Sequence, residues 1–123
     1  MKSRILVCGG RDFKNQVLFD AVMEYMRQFR STYFCIIHGH CRGADTMAND
    51  WAIAKGQPVF AMPANWEIYS DSAGRIRNKW LLDFGLPDLV IAFPGGHGTA
   101  NMIEQAMDRD VDVYDVSEHL DEF

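Results

Sequence analysis

The stretch Leu89-Val90-Ile91-Ala92-Phe93-Pro94-Gly95-Gly96-His97-Gly98-Thr99 decides the fold. Its first five residues read as a buried strand, and Ala100 to Met107 after it read as a helix. A glycine-rich turn from a strand into a helix N-terminus is a phosphate cradle. The absent Cβ atoms let backbone N–H groups reach an anion, and the helix dipole adds roughly half a positive charge. A second such turn, Cys8-Gly9-Gly10-Arg11-Asp12, ends the first strand of the chain. Two cradles point to a nucleotide-like ligand.

Outward from these turns, strand and helix alternate almost without interruption. Arg4–Cys8 is the first strand; Asn15 N-caps a helix to about Phe29, with Leu18, Val22, Met26 and Phe29 on one stripe. Phe34–His38 is the second strand. Asp45 or Gly43 opens a second helix in which Met47, Trp51 and Ala54 share a face, and Gly56 closes it. Pro58–Met62 is a third strand, and residues 64–72 have no periodicity and read as a loop. A third helix runs from Ala73 to Phe84, stopped by Gly85 and Pro87, with Ile76, Trp80 and Leu81 toward the core. Val111–Val116 alternates strictly, as an edge strand with one wet face does, and 117–123 reads as a loose acidic tail. The pattern predicts an α/β, Rossmann-like doubly wound parallel sheet of about five strands with helices on both faces. With strand order 3-2-1-4-5, the order reverses between strands one and four, which the two glycine turns end.

The 123 residues are expected to form one domain. A formal net charge of −5 disfavours nucleic acid as a partner, since phosphate backbones demand clustered cations. Arg11, Arg42, Arg75, Arg77 and Lys79 still allow a local positive pocket. No export segment and no run near the ~20 apolar residues of a membrane span is found, so a cytoplasmic setting without a membrane is expected. The odd number of cysteines, Cys8, Cys35 and Cys41, fits reduced thiols.

The second strand runs into His38-Gly39-His40-Cys41-Arg42-Gly43-Ala44-Asp45. Gly43 and Ala44 permit close backbone approach, and Arg42 offers a planar donor fork to phosphate. Asp45 is either a helix cap or an acceptor for a ribose or for Arg11. His38, His40 and Cys41 lack a fourth ligand at suitable spacing, so no metal and no cofactor are expected. His97 either borders the ligand or serves as a general base. Arg77 and Asn78, near the start of the third helix, point into the same cleft, while Trp66 is either a packing lid or an aromatic face for a base.

Together these stretches resemble the SLOG superfamily, closest to its YspA-like, YpsA-related bacterial and phage branch. The likeness rests on Gly9-Gly10-Arg11-Asp12, His38-Gly39, Arg42-Gly43-Ala44-Asp45, Ala48 with Trp51-Ala52, Pro63 with Trp66, Ala73-Gly74 with Arg77-Asn78, and Ala92-Phe93-Pro94-Gly95-Gly96 with Gly98-Thr99. The resemblance implies a Rossmann-like sheet and a phosphorylated nucleotide or nucleotide-derived ligand held by the first and last glycine loops, with pairing of copies through helices. Trp80, Leu81, Leu82 and Phe84 suit such a homo-oligomer or, equally, the core. Binding or sensing of the ligand is the first function expected. The alternative is hydrolysis of a nucleoside 5′-monophosphate at its N-glycosidic bond, as in LOG relatives. Their motif has a glutamate three residues after the threonine and an arginine that Arg77 matches. Here Met102 stands at the glutamate's place, and Glu104, the nearest carboxylate, lies about 200° around the helix from it. Asp12 and Asp45 are the remaining acidic candidates.

Overall fold

A computed structural model describes residues 3–29 and 34–123 of the chain. Five parallel strands, β1 (Ser3–Cys8), β2 (Phe34–His38), β3 (Val59–Ala61), β4 (Leu89–Ala92) and β5 (Asp112–Asp115), form one sheet in the order β3-β2-β1-β4-β5. The predicted strand order and α/β layout hold. Register places Leu6 opposite both Ile37 and Val90, and Cys8 opposite Ala92. The β-to-α turns after β1 and β4 therefore emerge side by side. β1 and β4 are nearly all buried, whereas at the sheet edges β3 is mostly exposed and β5 mostly half-buried. β5 is the edge its alternation predicts.

The helices are α1 (Gln16–Phe29), α2 (Ala44–Ala54), α3 (Trp66–Tyr69), α4 (Ala73–Gly85) and α5 (His97–Asp108). Side-chain alternation along the strands sorts them into two layers. Ile5, Val7, Ile36 and Ile91 pack with Phe19, Met23, Ala48 and Trp51 of α1 and α2. Leu6, Ile37 and Val90 turn the other way, onto Leu81, Leu82, Met102 and Ala106 of α4 and α5. Leu81 and Leu82 are thus core residues of this chain, and of the four offered for pairing Phe84 alone is highly exposed, at 63%. Among the described residues no helix is long and apolar enough to cross a membrane.

Local signals explain most helix ends. Asn15 caps α1 by accepting the Leu18 N–H at 3.0 Å, and the buried stripe includes Val22 and Met26. The side chain of Phe29 lies outside the described residues. In α2 the buried face is Ala44, Ala48, Trp51 and Ala52, and Ala54 points to solvent instead of joining it. The helix stops at a left-handed Gly56, φ 67°.

Three elements depart from the sequence reading. The expected loop at 64–72 contains α3 and a following 3-10 turn, Ser70–Ser72; Asn65 caps α3 by accepting the Ile68 N–H at 3.2 Å. A single turn is too short to show periodicity. Helix α5 starts at His97, not Ala100, because glycine costs little in a first turn where N–H groups have no helical partner anyway. Ile76 and Trp80 are only half-buried; Trp80 meets Tyr69 edge-on at 5.6 Å, and the inward face of α4 carries Arg77 and Asn78.

The acidic segment after β5 makes more contact than a loose tail would. It forms two 3-10 turns, His119 stacks on Tyr114 at 4.3 Å, and the Tyr114 hydroxyl donates to Glu122 at 3.0 Å.

Gly85 lies inside α4, where a Cβ would stand 3.2 Å from Ile37, and the helix ends instead at Leu86 in the left-handed region, φ 49° and ψ 57°. That conformation costs an L residue roughly 1–2 kcal/mol. Leu86 is 65% exposed, so little packing opposes its replacement. Leu86→Gly is expected to stabilise the fold by about 0.5–1 kcal/mol in urea denaturation; a loss would mean that the leucine side chain matters more than its backbone.

Candidate functional site

The site lies beyond the C-terminal ends of β1, β2 and β4, at the reversal of strand order. Three segments meet there: the β1–α1 turn at 9–15, the β2–α2 turn at 39–43 and the β4–α5 turn at 93–96. Their glycines are contact points between backbones. A Cβ on Gly9 would stand 2.7 Å from the Ala44 Cβ and 2.9 Å from that of Phe93. One on Gly95 would stand 2.6 Å from the Gly10 nitrogen. Gly43 combines φ 85° with a Cβ position that would overlap the Gly10 carbonyl oxygen. Gly10 donates its N–H to the Pro94 carbonyl at 2.9 Å, so the two predicted cradles are hydrogen-bonded to each other. That amide is committed inside the protein. Gly96 and Gly98, by contrast, have nothing within 4 Å of a Cβ position.

A cleft of about 510 Å³ opens beside these turns, with Gly10, Gly96, His97, Gly98 and Thr99 along one wall. Thr99 is buried and His97 exposed. Gly96 is the N-cap of α5 and no side chain caps that end. The first-turn amides of a helix have no partner within it. The floor is apolar, made by Leu6, Val7, Cys8, Leu81 and Met102, and Arg11, Trp66 and Arg75 stand around the cleft. Burial, and then the Asp45 carboxylate, push the Cys8 thiol far up, so it lines the floor as a neutral group. A second cleft of about 480 Å³ on the outer side shares Gly10, Arg11 and Gly96 and continues to Asp12, Lys14 and Asn15.

Several predicted ligand contacts are also held in a hydrogen-bonded frame, and of these Gly39, Asp45, Arg77 and Asn78 line the cleft. Asp45 is no helix cap: α2 is N-capped by Gly43, and the Asp45 carboxylate turns back so that Oδ2 accepts the N–H groups of Gly39 at 3.0 Å and Cys41 at 3.3 Å. Burial raises its pKa above the usual carboxylate value, against the lowering pull of the Cys41 amide and of Arg77. Arg77 is buried with it. Its Nη1 donates to the Gly39 carbonyl at 2.6 Å and approaches the Cys41 Sγ at 3.4 Å, while Nε donates to the Asn78 Oδ1 at 3.0 Å. Asn78 then passes its amide N–H groups to the Gly98 carbonyl and the Asn101 Oδ1, each at 3.2 Å. One chain of bonds thus runs from the β2–α2 turn through α4 to the first turn of α5.

His38 is fully inside the protein. Its Nδ1 accepts the His40 N–H at 3.0 Å, which leaves the proton on Nε2 to donate to the Asn49 Oδ1 at 3.0 Å. Both ring nitrogens are occupied, so His38 is no ligand contact. Arg42 does not reach the large cleft; it straps the turns together through the Arg11 carbonyl and the Asp12 carboxylate, both at 3.3 Å. Ala44 only packs against Gly9. Of the acidic candidates, Asp12 is exposed and paired with Arg42, and Glu104 faces solvent away from the cleft. Met102, where the hydrolytic motif has glutamate, is 1% exposed and part of the floor.

Sequence reading missed Cys41 and Asn101 as site residues. Asn101 stands one turn past His97, a spacing that places it on the same face of α5, but only the fold brings Asn78 against it.

Comparison with known proteins agrees with this layout. Residues 3–69 match the model of the YspA, cpYpsA-related SLOG family. The chain is also similar to the Gene 61 protein of Mycobacterium phage D29, 32% identical over 119 residues, covering 89% of this chain and 93% of that protein. No solved structure matches the chain.

Proposed function

Since the chain belongs to the YspA, cpYpsA-related SLOG family, we propose that it binds a nucleotide or nucleotide-derived molecule by its phosphate, at the N-terminus of α5. The observation that carries this reading is the uncapped first turn of α5 opening onto the cleft between Gly96 and Gly98, with Arg11 and Arg75 around it. Free amides, a helix dipole and two exposed guanidiniums together favour a compact anion. The Gly10–Pro94 bond supports a rigid rather than adaptable cradle. The ribose is accommodated over the apolar floor.

Binding without turnover fits the carboxylates. Asp45 has Oδ2 tied to two amides, Glu104 is turned to solvent and Met102 stands where a hydrolase carries its acid. Isothermal titration with AMP, ADP-ribose and NAD is expected to give heat with at least one of them, weakened by added inorganic phosphate, and with no free base released. Silence across the panel overturns the reading; base release from AMP moves it to hydrolysis.

A further inference from the structure

We propose that Arg11 and Trp66 form a gate at the cleft, and that a ligand opens it by stacking an aromatic base on Trp66 while its phosphate takes Arg11. This rests on the phosphate-binding reading above and adds where the base goes. The Arg11 Cζ lies 5.5 Å from the centroid of the Trp66 ring, joining the β1–α1 turn to α3 across the cleft. Trp66 is 48% exposed, so the indole is not needed for the core, and its edge rests near Gly74 at the start of α4.

Arg11 differs from every other arginine among the described residues. Arg4, Arg27, Arg42, Arg75, Arg77 and Arg109 each donate to an oxygen. The Arg11 guanidinium has the Trp66 ring instead and, among the described residues, donates to no oxygen at the junction of the two clefts. A base inserted between the two groups needs roughly 3.5 Å on each side, more than the 5.5 Å present, so Arg11 must leave for the ring to enter. The exchange is favourable when both halves of the ligand take part. Stacking of a base on an aromatic ring outweighs an exposed cation–π contact, and the released guanidinium gains a phosphate oxygen. Stacking reads the face of a base and not its edge, so adenine, guanine and cytosine nucleotides are accepted within a few-fold of one another.

The test is titration of the full chain with AMP and with ribose 5-phosphate, which has the sugar and anion without the base. Trp66→Ala is expected to weaken AMP about tenfold or more while leaving ribose 5-phosphate unchanged, and Trp66→Phe to restore most of the loss. AMP, and not ribose 5-phosphate, should quench indole emission of the wild type, and Trp66→Ala should abolish that quenching. Equal losses for the two ligands in Trp66→Ala, or none for either, overturn the gate alone. Failure of both ligands to bind the wild type overturns the phosphate site, and the gate with it.

Discussion

Gly96→Asp is expected to weaken phosphate binding by at least a hundredfold while leaving the fold within about 1 kcal/mol of its original stability. The two effects separate because of where Gly96 lies. A Cβ there meets nothing within 4 Å, and φ is −105°, so the backbone does not require glycine. Aspartate is moreover a good N-cap, able to accept a first-turn amide of α5. That same bond removes a donor from the anion site and places a carboxylate beside the phosphate. Two like charges about 4 Å apart repel by about 4 kcal/mol in a partly solvated site, which is more than two decades in affinity. Titration calorimetry and urea denaturation read the two effects on one preparation. Unchanged binding would move the anion away from α5; joint loss of binding and fold would make Gly96 structural.

Arg77→Met is expected to act in the opposite sense, costing about 3 kcal/mol of stability before any ligand is considered. Methionine fills much of the volume, but the Gly39 carbonyl loses its 2.6 Å donor and Asp45 loses the cation that helps keep it ionised. The loss depends on pH. Burial already raises the folded pKa of Asp45 above its unfolded value, so its contribution to stability falls as pH rises through the carboxylate range. Without Arg77 that pKa rises further and the fall is larger. The variant should therefore be most destabilised near neutrality and recover toward wild type near pH 4, in parallel urea titrations. A pH-independent deficit would show that packing and the hydrogen bond to Gly39, and not the charge near Asp45, are what Arg77 supplies.

Residues 89–99 and 8–12 disclosed the sheet, its order and the end that carries the cleft. Apolar runs, caps and glycine turns are short-range signals, and with the rule that parallel strands need crossovers they leave few topologies. What each polar group does within the site was hidden from such signals. Asp45 carries the sequence marks of a helix cap, yet its carboxylate faces the amides of Gly39 and Cys41. Arg42 suits a phosphate and binds Asp12; Gly10 looks like a free cradle amide and is held by Pro94. Trp66 and Arg11, 55 positions apart in the chain, meet only because α3 is carried over the β1–α1 turn. A hydrogen bond is fixed by distance and angle to whatever stands opposite, and that neighbour is chosen by tertiary packing. The chain's local chemistry set where an anion is invited; the three-dimensional fold alone decided which donors are left to receive it.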